Sequence, residues 1–236
     1  MTQLSYQHPE FKQSKTTKIP DVLQNAINEV WQKQYKELDE ENADPNNNLE
    51  TDVQKILTVL DSDEDLLGYC RYIWMGIILG FATKPTVTAY LPNDLRPSLI
   101  LKIIKGFFFR EQAKQLSHKF NSVIPENLEY SQTISQLCEQ LFPHKFEGSQ
   151  ALDEALDVFW NLLRLMDYNL AEEALLESLD DCFDGYAIFP GSQHRRDLFN
   201  WWLLDVVPAT WCLKLPKKIY TIKGLKKFTS DQFFEI

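Results

Sequence analysis

The chain has 236 residues, 34 acidic side chains against 24 basic ones, and a formal net charge of −10. Hydrophobic residues at 44% and aromatics at 13% suffice for a packed core, which excludes wholesale disorder and a peptide-sized scaffold. Only eight glycines put phosphate-cradling loops and barrel corners at a disadvantage, and the acidic balance has the wrong sign for nucleic-acid phosphate.

Residues 1–18 are polar, carry Lys12, Lys15 and Lys18 and show no sustained period, so a loosely docked leader is expected there. After Pro20 the spacing of Leu23, Ala26, Ile27, Val30, Trp31, Tyr35 and Leu38 predicts one amphipathic helix, stopped by the Asn-rich run at 42–48. A short helix follows from about Thr51 to Leu60. Ser62 and Asp65 have capping-box spacing ahead of a helix over 63–82. That helix is apolar on every face, through Leu66, Leu67, Cys70, Ile73, Trp74, Ile77, Ile78 and Phe81, so it belongs at the centre of the fold. Its most apolar stretch is shorter than the roughly 18 residues a bilayer requires, and Arg71 closes one end.

Thr83 to Pro97 reads as a Pro-rich connection with a β-like fragment at 86–90. Pro97 then opens a helix through Ile100, Ile103, Ile104, Phe107 and Phe108, with Gly106 as a bend. Further stripes run from Ile134 to Phe142 and from Leu152 to Met166. Asn169 and Glu172 cap the next helix, which ends near Asp180-Asp181. Another starts at Ser192, carries Leu198, Phe199, Trp202, Leu203 and Val206, and ends at Pro208. The β-branched and aromatic residues at 217–223 suit one short strand. The fold class is therefore all-α, a single compact globule of about eight helices, with one short β element at 86–90 or 217–223. The expected organisation is a leader at 1–18, a helical domain at 19–213, and a lysine-rich tail at 214–236 packed on the domain or extending from it.

The four cysteines, Cys70, Cys138, Cys182 and Cys212, are far apart and in apolar contexts, which predicts buried thiols. With no secretory signal at the N-terminus, they suit a soluble protein of a reducing cytoplasm. No nucleophile elbow, P-loop, dinucleotide fingerprint or helical metal-binding histidine pair occurs. Two acidic segments, at 44–48 and 61–65, lack the Gly of a calcium loop, and Lys55 and Tyr72 stand where its bidentate Glu belongs.

Two neighbouring segments carry the candidate chemistry. Asp180-Asp181-Cys182-Phe183-Asp184 resembles the D-D-x-x-D motif of isoprenoid synthases, which implies carboxylates on one helical face holding Mg²⁺ against a diphosphate. The resemblance covers these five residues, and the second metal motif of that family is missing. Next, His194, Arg195 and Arg196 crowd the first turn of a helix, where the backbone dipole already disfavours cations. Compensation must come from carboxylates such as Asp180, Asp181 and Asp184 folding back, or from an anionic ligand or partner. Tyr186, Trp201 and Trp202 lie close in sequence, and aromatics with arginine are the chemistry of interface hot spots and ligand pockets alike. The functional expectation is a non-catalytic module without cofactor that binds another protein. The alternative is an anionic-ligand binder or Mg-dependent enzyme built on 194–196 and 180–184.

Overall fold

The computed structural model describes residues 19–39, 48–61, 66–118, 130–142, 149–183, 185–188, 194–221, 224 and 226–227, without the side chains at 37, 39, 113–118 and 130–133. The capping-box residues Ser62 and Asp65, the leader and much of the tail fall outside them. Within them the protein is all-α, eight helices with one two-stranded hairpin. The helices are α1 (Asp21–Trp31), α2 (Leu49–Leu60), α3 (Leu67–Tyr90), α4 (Arg96–His118), α5 (Tyr130–Leu141), α6 (Gln150–Arg164) and α7 (Ala171–Phe183). The eighth is a rod in three segments, α8 (Arg195–Trp201), a π-helical stretch (Trp202–Val206) and α9 (Val207–Trp211).

Helix α3 forms the axis, buried almost continuously from Gly68 to Thr83, with α4, α6, α7, α2 and α9 all packed on it. Ile73, Trp74, Ile77 and Ile78 are all buried, as the all-round apolar pattern requires. Close packing depends on two glycines: a Cβ on Gly76 would lie 2.2 Å from Leu165 Cδ1, and one on Gly80 2.9 Å from Leu101 Cδ2.

Prolines were the poorest guides to helix ends. Residues 86–90, expected as an extended fragment, are the last turns of α3, which runs straight through Pro85. An interior proline costs about 3 kcal/mol, and burial of Val87 at 0% exposure offsets part of it. Pro208, expected to end its helix, instead lies in the first turn of α9, just after the π-helical stretch. The wider π turn absorbs a residue whose missing N–H would otherwise break the ladder. The first predicted helix is also shorter than its stripe, since α1 ends at Trp31, and Tyr35 enters the core just before a separate 3₁₀ turn (Lys36–Asp39) and Leu38 from within it. Trp31 itself is exposed. Gly106 produces no break in α4.

The segment after α9 lies along the core. Trp74 Nε1 donates to Lys214 O at 2.7 Å, Trp201 Nε1 to Lys218 O at 3.0 Å, and Ile219 and Tyr220 are buried. The expected β element at 217–223 is one strand, β1 (Lys218–Ile219), of an antiparallel hairpin with β2 (Lys226–Lys227), Lys218 opposite Lys227. Gly224, at φ +92°, closes the turn by hydrogen bonds with Thr221.

Candidate functional site

Arg196, in the first turn of α8, is held by backbone groups far away in sequence. Arg196 Nη2 donates to Lys33 O at 2.7 Å and to Trp31 O at 3.3 Å, at the C-terminal end of α1. The unfavourable dipole of its own helix is thus met by the negative end of another. That end is fixed in turn by buried Asp52, which accepts from Lys33 Nζ at 2.8 Å and from Tyr35 Oη at 2.8 Å. Arg195 is 3% exposed, its guanidinium carbon 5.0 Å from the Tyr186 ring centroid. His194 is exposed, with Nδ1 3.8 Å from Asp197 Oδ2.

The tryptophans require a correction, because both are core residues and neither lines a surface. Trp202 is wholly buried against Phe183 and Phe199, its Nε1 3.3 Å from Met75 Sδ, while Trp201 is buried beside Tyr220. Adjacent positions point to different helix faces, but here both faces are covered: one by α3 and α7, the other by the C-terminal segment.

Asp180 and Asp181 occupy the last turn of α7, and Asp184 lies outside the described residues. Burial, together with Asp157, Glu154, Asp180 and Glu177, pushes the Asp181 carboxyl up to about 8. At neutral pH it therefore carries its proton. Glu154 accepts a hydrogen bond from Tyr186 N, and Ala187 N donates to Asp181 O at 3.1 Å, which ties the chain leaving α7 to this cluster. A Cβ on Gly185 would come within 2.5 Å of Asp181 O, so only glycine fits that contact. Beyond Asp180 an open groove of about 520 Å³ separates α7 from α2, lined by Glu50, Glu172, Glu173 and Glu177 with Gln54, Asn169 and Leu176. Arg164 neutralises part of it through Glu173 at 2.8 Å and through Glu177. Among the described residues no three His, Cys, Asp or Glu side chains are placed to hold a metal ion.

The thiols are packing residues. Burial pushes Cys70 up to about 12 and Cys138 to about 11, and holds Cys182 well above the ordinary thiol range. No described cysteine forms a disulfide.

The feature that sequence reasoning missed is the outer face of α4. Ile100, Leu101, Ile104, Phe107 and Phe108 point into the core. At about 100° per residue, Leu95, Leu99, Lys102, Gly106, Phe109 and Arg110 fall within an arc of about 100° on the opposite side. Leu95 starts the helix by accepting from Leu99 N at 2.9 Å and is 77% exposed, with Leu99 at 44% and Phe109 at 37%. Lys102, Gly106 and Arg110 are exposed with them. The signal was present as apolar residues at 95, 99 and 109 that do not belong to the core stripe.

No family model matches the chain, and no curated protein or solved structure matches it significantly. Among the described residues no helix is long and apolar enough to cross a membrane.

Proposed function

We propose that the protein is a cytoplasmic, non-catalytic helical module that binds another protein through the outer face of α4. One observation carries this reading: the alignment of exposed Leu95, Leu99 and Phe109 on a single helical arc with Lys102 and Arg110. Scattered surface apolar residues need no explanation, but an exposed row of apolar residues aligned on one helix face is the kind of patch that a partner covers. The buried, protonated thiols support a reducing compartment, and the net charge of −10 argues against a nucleic-acid partner.

The test compares native-cytosol captures by the wild-type chain and by the L95D/L99D double variant, after circular dichroism has established that both are folded. The reading expects specific proteins that the wild type retains and the variant loses. Identical recoveries would refute it.

A further inference from the structure

Independently of α4, we infer that the lysine-rich hairpin after α9 docks an acidic segment of a partner protein. From Val206 to Ser230 the chain carries six lysines and no acid, although acids outnumber bases in the whole sequence. The structure separates what holds this segment from what it presents. Trp74 and Trp201 bond its backbone carbonyls at Lys214 and Lys218, and Pro216, Ile219 and Tyr220 are buried. The lysine side chains take no part in this. Lys214, Lys217, Lys218, Lys226 and Lys227 are all exposed, and none forms an ion pair with a carboxylate among the described residues. Elsewhere in the fold lysines do find carboxylates, Lys33 with Asp52 at 2.8 Å and Lys55 with Glu29 at 2.7 Å.

The register of the hairpin concentrates the charge. Lys218 stands directly opposite Lys227, so the two side chains share one face with Cβ atoms about 5 Å apart, where like charges repel. A single Glu at either position would have turned that repulsion into attraction. Two-stranded hairpins are marginal in any case, and an uncompensated conflict inside one is relieved by carboxylates brought from outside. Lysine also guards exposed sheet edges, which accounts for Lys226 and Lys227 but not for Lys214 and Lys217, which lie in neither strand. Lysines are mobile point charges without a fixed fork, so they favour several carboxylates in a row over one oriented anion. At physiological salt a charge is felt over about 8 Å, and a short acidic segment can meet the hairpin alone. A bilayer or a nucleic acid extends further, onto a body that is more acidic than the chain as a whole. A symmetric second copy would set lysine against lysine.

The experiment measures a fluorescent peptide of alternating Glu and Ser by anisotropy against the full chain and its K218E, K218E/K227E, K218R/K227R and K36E variants. Expected is binding that weakens as salt is raised, falls about tenfold or more in K218E and K218E/K227E, and persists in K218R/K227R. K36E makes the same change of charge on the exposed 3₁₀ turn and leaves the affinity nearly unchanged. K218E gains an internal ion pair with Lys227, so its urea midpoint matches or exceeds that of the wild type, which separates lost binding from lost folding. No binding by the wild type at low salt, equal affinity in K218E/K227E, or equal losses in K218E and K36E would overturn the inference and leave a solvated face. Binding seen only once D231N/E235Q neutralises the C-terminal acids would overturn it in favour of the chain's own tail as occupant. Lys218-dependent binding to phosphatidylserine vesicles or to RNA, tighter than to the peptide, would overturn it in favour of those partners, and Lys218-dependent self-association in favour of a second copy.

Discussion

Replacing Asp181 by Asn should make the protein more stable, and increasingly so as pH rises. In the native state this carboxyl ends α7 facing Glu154 and Asp157 from α6 and Asp180 and Glu177 from its own helix, with a pKa near 8 instead of 3.8. The folded state therefore binds a proton that the unfolded chain has released, and folding is progressively penalised between those two values. The stability attributable to protonated Asp181 is fully present below about pH 3.8, declines as pH rises, and is gone once pH passes about 8. About four units at ~1.4 kcal/mol each set a limit on the order of 5 kcal/mol. Asn keeps the shape and the neutral charge of the protonated acid, so the variant does not share the decline. The assay is urea denaturation from pH 5 to pH 9, followed by tryptophan fluorescence. The variant's advantage is expected to grow by about 4 kcal/mol across that range and to level off above pH 8. A difference that stays constant with pH, or a carboxyl ¹³C resonance of Asp181 titrating near 4, would refute the reasoning.

Gly106→Ala should stabilise the protein by ~0.5–1 kcal/mol in the same assay, because the new methyl meets open space and the helix gains propensity. Gly185→Ala should instead destabilise by ~2 kcal/mol or more, its Cβ forced against Asp181 O. A Gly185→Ala variant with an unchanged denaturation midpoint would contradict the contact. Arg196→Ala strips the hydrogen bonds on Lys33 O and Trp31 O and should cost about 1–3 kcal/mol, with Arg196→Lys recovering part of it. In a thiol-labelling time course on the native protein, half-buried Cys212 should react first, while Cys70, Cys138 and Cys182 should react only on unfolding.

The core of the fold was legible because its signals are local. The all-round apolar run of α3, the stripes of α6 and the β-branched cluster at 217–223 each describe a surface that needs covering, and the structure covers it. Pro85 and Pro208 misled for the complementary reason. Proline acts on its own helical turn, but whether the turn persists depends on what the following residues bury, and Val87 and Val207 are both fully buried. For Arg196 the conflict was legible but its resolution, on backbone carbonyls, was not. The conflict lay within one turn at 194–196, whereas Lys33 is 163 positions away from Arg196. No spacing rule reaches that far.

The same distinction explains why the candidate site moved. Trp201 and Trp202 read as interface residues because aromatics beside arginines are the chemistry of hot spots, although adjacent positions point to different helix faces. That inference assumes one face stays open, and the C-terminal segment closes it through Lys218 and Tyr220. On α4, by contrast, Leu95, Leu99 and Phe109 read as further hydrophobic content, and only the position of α3 and α6 beneath Ile100, Ile104 and Phe108 shows which apolar residues are left outside. A helix apolar on two sides is ambiguous in sequence between a buried axis and a docking strip. α3 is a buried axis, and α4, the proposed docking face, differs from it in polarity: the exposed arc of α4 contains Lys102 and Arg110, while α3 from Tyr72 to Thr83 contains no charge at all. Charges set among outward apolar residues are tolerated because their heads reach water when the face is free and can meet opposite charge when it is covered. On the proposed reading of α4, that arrangement would keep a docking face compatible with a folded, unbound chain.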